Sequence, residues 1–242
     1  MVNNFGINRT MLKIIALITM TIDHIGFMFF PSYPIFRIIG RIAMPLYCYM
    51  IAEGAYYTRN RIKYLLSIFI IGLICFIVYL IFMQEFYFNI LVAFSLSISL
   101  IYSYDKIIDS NKIKDKRKLL LYLFLFVLIF VISIFLGFVD KIIHNPRIYM
   151  DYSIFPILIP FIVYVGFKNK WIRLLLFFIG VLALSCYFEF IEHSTNQQMY
   201  SLISVLIILF YNGKKGKINL KYFFYLYYPL HLLVLYIISI LI

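Results

Sequence analysis

Apolar residues fill this chain in long uninterrupted runs, broken by short clusters of Lys, Arg, Asn and Pro, with none of the alternation of a half-buried strand. A helix needs about 17–25 apolar residues to cross roughly 30 Å of hydrocarbon. Runs of about that length, some shorter, lie near residues 11–30, 35–57, 64–83, 88–104, 119–139, 153–167, 174–189, 199–211 and 222–242. The pattern predicts an all-α, polytopic transmembrane helix bundle of about nine spans. No Gly/Ser or Pro linker and no internal repeat divides it, so residues 1–242 read as a single membrane domain. The first run is too long for a secretory signal and no small-residue cleavage site follows it.

Composition agrees with the pattern. The chain is 64% hydrophobic and 13% charged, against about 45–50% and about 25% for soluble domains, so a water-surrounded core cannot hold it. The charges predict orientation. With the N-terminus inside, the inner segments carry Arg9 and Lys13; Arg59, Arg61 and Lys63; Lys106, Lys112, Lys114, Lys116, Arg117 and Lys118; Lys168, Lys170 and Arg173; and Lys214, Lys215, Lys217 and Lys221. That is 18 of the 22 basic residues, and outer loops hold only Lys141 and Arg147. The expected topology is N-in and C-out. The net charge of +12 then reads as topology signals and anionic-lipid contacts, not as a nucleic-acid interface.

Against this background Asp23 and His24 stand out. They are adjacent inside the first span, and Arg37 and Arg41 follow one helical turn apart in the second. At about 1.5 Å of rise per residue, Asp23 and His24 lie roughly 18–20 Å above the inner boundary, and the arginines roughly 3 and 9 Å below the outer one. The hairpin Pro31 to Pro34 makes the two spans neighbours. Ionisable groups at such depth persist when they pair, line a wet cavity or do chemistry. Asp151, Tyr152 and Glu189 are expected near the same level, His231 nearer mid-membrane just after Pro229, and Glu53 near the inner end of the second span. Together these predict a polar cavity reaching in from the outer face, with Glu53, Asp151, Tyr152 and His231 as substrate contacts. The structural alternative is an Asp23–Arg ion pair, a hydrogen-bonded core His231, and Glu53 paired with Arg59 or Arg61.

A histidine held by a carboxylate is a general base with a fixed tautomer, and guanidinium groups stabilise developing oxyanion charge. Metal chemistry is not expected: there is no HExxH, no His pair at helical spacing and no Cys/His cluster, and Cys48, Cys75 and Cys186 read as small core residues. With no G-x-S-x-G elbow and no P-loop, acyl transfer fits best.

The stretches LKIIALITMTIDHIGFMFFP and FRIIGRIAMPLYCYMIAEGAYYTRN resemble the N-terminal signature of the TraX family and, more remotely, acyltransferase-3 membrane acyltransferases. MDYSIFPILI is similar to that family's Asp-Tyr segment, and KYFFYLYYPLHLLVLYII to its Tyr-Pro-x-His-Leu-Leu segment. The resemblance implies a multi-pass acetyltransferase of the bacterial plasma membrane, whose founding member acetylates pilin N-termini from acetyl-CoA. It implies His24 as catalytic base with Arg37 or Arg41 assisting, and the adjacent Asp23 is the carboxylate expected to orient it. Arg59, Arg61, Lys168 and Lys170 are then the expected contacts of the acetyl-CoA phosphates. The acceptor is left open among a peptide N-terminus, a lipoprotein, a glycan and a lipid. A transporter or flippase would show symmetric halves and broken helices, neither evident in the sequence, and a non-catalytic assembly partner of a surface machine is the remaining alternative.

Overall fold

The computed structural model describes residues 6–192, 197–216 and 221–241; Lys217 and the side chain of Lys221 lie outside the described set. Among the described residues the chain is all-α but for a two-stranded patch and an isolated bridge. In order come α1 (Arg9–Phe29), α2 (Pro34–Gly40), α3 (Ala43–Tyr57), α4 (Arg61–Met83), β1 (Phe86–Phe88), α5 (Ile90–Lys112), α6 (Lys116–Gly137), α7 (Val139–Ile143), β2 (Ile148–Met150), α8 (Phe155–Val165), α9 (Lys170–Cys186), α10 (Ile203–Leu209) and α11 (Lys221–Leu241). A π-helical turn, Tyr187–Ile191, continues α9, and a 3-10 turn, Gln198–Leu202, leads into α10. Polar side chains start the long helices where the sequence supplies them. Asn8, Asn60, Asn89 and Asp115 each accept a first-turn backbone N–H of α1, α4, α5 and α6.

Among the described residues six spans are long and apolar enough to cross a membrane: Arg9–Phe29, Pro34–Tyr57, Arg61–Met83, Ile90–Lys112, Lys116–Gly137 and Lys170–Ile191. Three shorter apolar helices, Phe155–Val165, Gln198–Leu209 and Leu226–Leu241, fall on the other three predicted runs. α4 and α6 turn Phe82, Leu120 and Phe124 outward at 64–68% exposure. Apolar faces this extensive match hydrocarbon and not water, which makes this a membrane protein.

The second span departs from the sequence reading. It is not one continuous helix: α2 stops at Gly40, Arg41 and Ile42 form a turn, and α3 begins at Ala43. Broken helices, absent from the sequence reading, are therefore present here. Such breaks are tolerated at membrane depth where the freed backbone is buried in protein or lines a cavity.

The chain divides into two units. The first comprises residues 1–49 and 170–242. In it α1 packs on α2 and α11, and α9 on α10. The N-terminal end is tied to the end of α10 by a parallel bridge between Ile7 and Tyr211, with Ile7 N–H donating to the Phe210 carbonyl at 2.9 Å. Tyr49 is buried against the rings of Phe177 and Tyr211.

The second unit comprises residues 50–169, with α5 packed on α4, α6 and α8. Small residues let α5 sit centrally. Ser95, Ser99 and Ser103 return their hydroxyls to carbonyls one turn back, which satisfies them without a partner helix. β1 and β2 pair in parallel with Tyr87 opposite Tyr149, a short patch that apolar periodicity alone did not predict.

Candidate active site

Two glycines bring α1 and α2 together. A Cβ on Gly40 would collide with the Asp23 carboxyl, and one on Gly26 with the Phe36 side chain. Pro34 opens α2, where its fixed φ suits a first helical turn and its missing N–H costs nothing. Across this contact Arg37 Nη1 donates to Asp23 Oδ2 at 2.8 Å and reaches the Asp23 backbone carbonyl at 3.4 Å. The guanidinium also sits 5.3 Å from the centroid of the Phe27 ring. Asp23 is 8% exposed, and its second oxygen, Oδ1, is buried with no hydrogen-bond partner among the described residues. An orphaned carboxylate oxygen beside a guanidinium is costly to keep for packing alone.

Arg41 is the C-cap residue of α2; its N–H still makes the one-turn bond to the Arg37 carbonyl at 3.1 Å and its backbone is helical, so the two arginines keep the expected one-turn register up to the break. Its charge still acts on Asp23.

His24 points elsewhere. Adjacent residues diverge by about 100° on a helix, so the Asp23 carboxylate meets Arg37 and makes no contact with the His24 ring. The expectation that Asp23 orients His24 is corrected by this geometry. His24 Nδ1 lies 2.9 Å from the Met20 carbonyl oxygen, one turn back. It also lies 3.4 Å from Nε2 of His231, which α11 supplies, and the two rings meet edge to face at 5.0 Å between centroids. His231 Nδ1 lies in turn 2.8 Å from the Tyr227 carbonyl oxygen.

Tyr227 completes the α1–α11 contact. Its ring stacks on His231 at 5.1 Å, and its hydroxyl meets Thr21 Oγ1 at 2.7 Å. Because the Thr21 hydroxyl already donates to the Leu17 carbonyl, the phenol donates to Thr21. An open apolar groove of about 380 Å³ runs past this contact, lined by Phe223, Leu226, Leu230 and Val234 with Thr21, Tyr227 and His231 at its polar edge.

The family can be read once this geometry is in place. The family model described as TraX protein matches residues 8–239. The chain belongs to the TraX family. A probable fimbrial assembly protein, FimC of serogroup H1, from Dichelobacter nodosus is 26% identical over 274 residues, covering 97% of each chain. An uncharacterized protein, RP591, of Rickettsia prowazekii (strain Madrid E) is 50% identical over 48 residues, 20% of this chain and 19% of its own. No solved structure matches. The TraX match runs from the cap of α1 into α11, so it takes in every residue of the His24–His231 and Asp23–Arg37 contacts.

Other predicted site residues of this TraX protein fall differently. Glu189 lies in the π-helical turn, and its Oε2 is buried without a hydrogen-bond partner among the described residues. Glu53, Asp151 and Tyr152 belong to the second unit. Glu53 is 4% exposed. Asp151 accepts from the Tyr87 hydroxyl, and Tyr152 adopts a left-handed φ of 53°. Nearby, the Tyr149 hydroxyl donates to Glu85 at 3.0 Å; burial first, and that carboxylate second, push its phenol above the ordinary range.

Among the expected acetyl-CoA contacts, Arg61 is committed within the protein. It pairs with Asp105 Oδ2 at 2.6 Å, while the Tyr164 hydroxyl donates to the same oxygen at 2.6 Å and the Tyr102 ring lies 5.0 Å from the guanidinium. Asp105, and not Glu53, is thus the ion-pair partner of Arg61. Arg59, Lys168 and Lys170 are exposed, Lys170 lying 5.6 Å from the centroid of Trp171. Among the described residues no group of three His, Cys, Asp or Glu side chains is placed to hold a metal.

Sequence reasoning missed Thr21 and Tyr227. The available signal was spacing: Tyr227 and His231 are four apart, as are Met20 and His24. Each histidine therefore has a backbone carbonyl one turn back to fix its ring.

Proposed function

We propose that this TraX protein is an acetyltransferase of the bacterial plasma membrane, moving acetyl from acetyl-CoA to an amine or hydroxyl acceptor near the outer leaflet. The chain crosses the bilayer nine times as one enzyme, N-in and C-out, the three short apolar helices being spans as well. The alternation of basic loops supports this orientation. One observation carries the reading: His24 has Nδ1 committed and Nε2 without a partner among the described residues, one residue from an ion pair with an orphaned carboxylate oxygen.

An imidazole so held is a base with one usable nitrogen. His24 Nε2 takes the proton of the acceptor N–H or O–H as that atom attacks the thioester carbonyl. Arg37, with donors to spare beyond Asp23, and Arg41 stabilise the tetrahedral oxyanion. The C–S bond then breaks, and the CoA thiolate leaves with the proton returned from His24. The products are the acetylated acceptor and CoA–SH. No protein nucleophile is needed, because the thioester is already activated. Of the cations expected at the CoA phosphates, Arg59, Lys168 and Lys170 are each exposed, whereas Arg61 already has its carboxylate.

The acceptor is a peptide N-terminus, lipoprotein, glycan or lipid. Relation to a probable fimbrial assembly protein favours a membrane-held subunit of a surface fibre. Mass spectrometry of membrane peptides, lipids and surface glycans from cells with and without the protein tests this. One acetyl unit is expected on a single acceptor class only when the protein is present, and identical spectra would refute it. A transporter reading draws support from the broken second span. Acceptor movement in liposomes without acetyl-CoA turnover would favour it.

A further inference from the structure

We infer that His231 is a positioning residue for His24, accepting a hydrogen bond from His24 Nδ1–H through its own Nε2 and so taking the orienting part the sequence assigned to Asp23. This inference rests on His24 acting as the base.

Hydrogen-bond bookkeeping fixes both rings. A carbonyl oxygen only accepts, so the nitrogen 2.8 Å from the Tyr227 carbonyl is His231 Nδ1–H, and the nitrogen 2.9 Å from the Met20 carbonyl is His24 Nδ1–H. In each neutral ring Nε2 is then a lone pair. His231 Nε2 aims that lone pair at His24 Nδ1 from 3.4 Å, where it shares a hydrogen already bonded to Met20. The relay has one direction. Both nitrogens of His231 are occupied, and only His24 Nε2 is left to meet a substrate proton.

Two surroundings hold the arrangement. Tyr227 stacks flat on His231, with 8° between the ring planes, and its hydroxyl is pinned by Thr21 of α1, the helix that carries His24. The edge-to-face angle of 70° between the imidazoles suits an N–H of one ring directed at a ring nitrogen of the other. When His24 gains a proton at Nε2, its Nδ1–H becomes a charged donor. The 3.4 Å contact then tightens into a charge-assisted bond that stabilises the imidazolium as it forms. No net proton reaches His231: it stabilises the base without becoming one. A buried carboxylate has this part in serine hydrolases. Here a neutral ring does it, leaving Asp23 to Arg37.

The test uses the full-length protein with 15N-labelled histidine, reconstituted in bilayers, beside His231→Phe, which keeps an aromatic ring against Tyr227, and His231→Gln, which keeps an acceptor oxygen. Imidazole 15N shifts at neutral pH are expected to show His24 and His231 with protonated Nδ1 and bare Nε2, the minority tautomer of free histidine. His231→Phe is expected to shift the His24 nitrogens and lower kcat for acetyl transfer tenfold or more with KM for acetyl-CoA unchanged. His231→Gln should recover at least a third of the rate. His24 protonated at Nε2, or His24 resonances unmoved by His231→Phe, would overturn the inference. Should His231→Phe not fold, the wild-type tautomers and His231→Gln decide it alone. Wild-type protein that shows the paired tautomers but transfers no acetyl group would leave this contact standing and refute the acetyltransferase.

Discussion

Among the described residues each unit of the protein holds an arginine–carboxylate pair, Asp23–Arg37 in the first and Asp105–Arg61 in the second, and the two are finished differently. In the second unit Asp105 Oδ2 accepts from both Arg61 and the Tyr164 hydroxyl, each at 2.6 Å, fastening residues of α4, α5 and α8. In the first unit Asp23 gives one oxygen to Arg37 at 2.8 Å and leaves the other buried without a hydrogen bond among the described residues. The Asp105 pair is closed by a third group, as a structural staple is. The Asp23 pair is left open next to an imidazole with a bare nitrogen. An Arg–carboxylate contact is thus a poor marker of function by itself, and the completeness of the pairing around it discriminates better.

The comparison can be broken at its hinge. Gly40→Leu drives a side chain into Asp23, and the α1–α2 contact is expected to fail with a loss of about 3 kcal/mol or more, read as thermal stability in detergent. Next come the carboxylates. Asp23→Asn strands Arg37 and is expected to cost up to about 3 kcal/mol and most of the transfer rate. Asp105→Asn leaves Arg61, whose side chain is 40% exposed, able to reach water; a cost of about 1 kcal/mol and an unchanged rate are expected. Equal loss of rate in both variants would erase the distinction. Of the same order, Tyr164→Phe removes one hydrogen bond to Asp105, about 1 kcal/mol, with transfer untouched.

The smallest effect lies at the start of α6. The Lys118 backbone N–H, and then its ammonium, hold the Asp115 carboxyl below its usual range. A depressed native pKa contributes stability that is present above the unfolded value and lost as pH falls through the folded one. As pH falls below about 4, protection of the first-turn amides of α6 relative to their intrinsic exchange rates is expected to drop in wild type, while Asp115→Ala shows that reduced protection already at pH 7.

Much of this was legible in the sequence. Among the described residues the nine apolar runs are helical, because long stretches of Leu, Ile and Phe allow little else in hydrocarbon. Asp23 and Arg37 meet as expected, since a four-residue hairpin leaves neighbouring spans no alternative. Three features were not anticipated. The break at Arg41 and Ile42 falls one turn before Pro45, whose ring displaces the Arg41 carbonyl and which has no N–H to bond it, a signal the sequence does carry, while the part of Gly40 shows only once Asp23 is known to fill the space where a Cβ would sit. The pairing of His24 with His231 spans 207 residues, and no periodic signal reaches across that separation. Asp23 turns to Arg37 and not to the His24 ring because adjacency in sequence is not adjacency in space: neighbours on a helix face different ways.

The most direct test is acetyl transfer in proteoliposomes. Purified protein given acetyl-labelled acetyl-CoA and a membrane extract as acceptor source is expected to deposit label on one acceptor class, and His24→Ala of matching thermal stability to lose about a hundredfold or more of that rate. Undiminished transfer by His24→Ala would contradict the assignment of the base, and no transfer by wild type would contradict the enzyme itself.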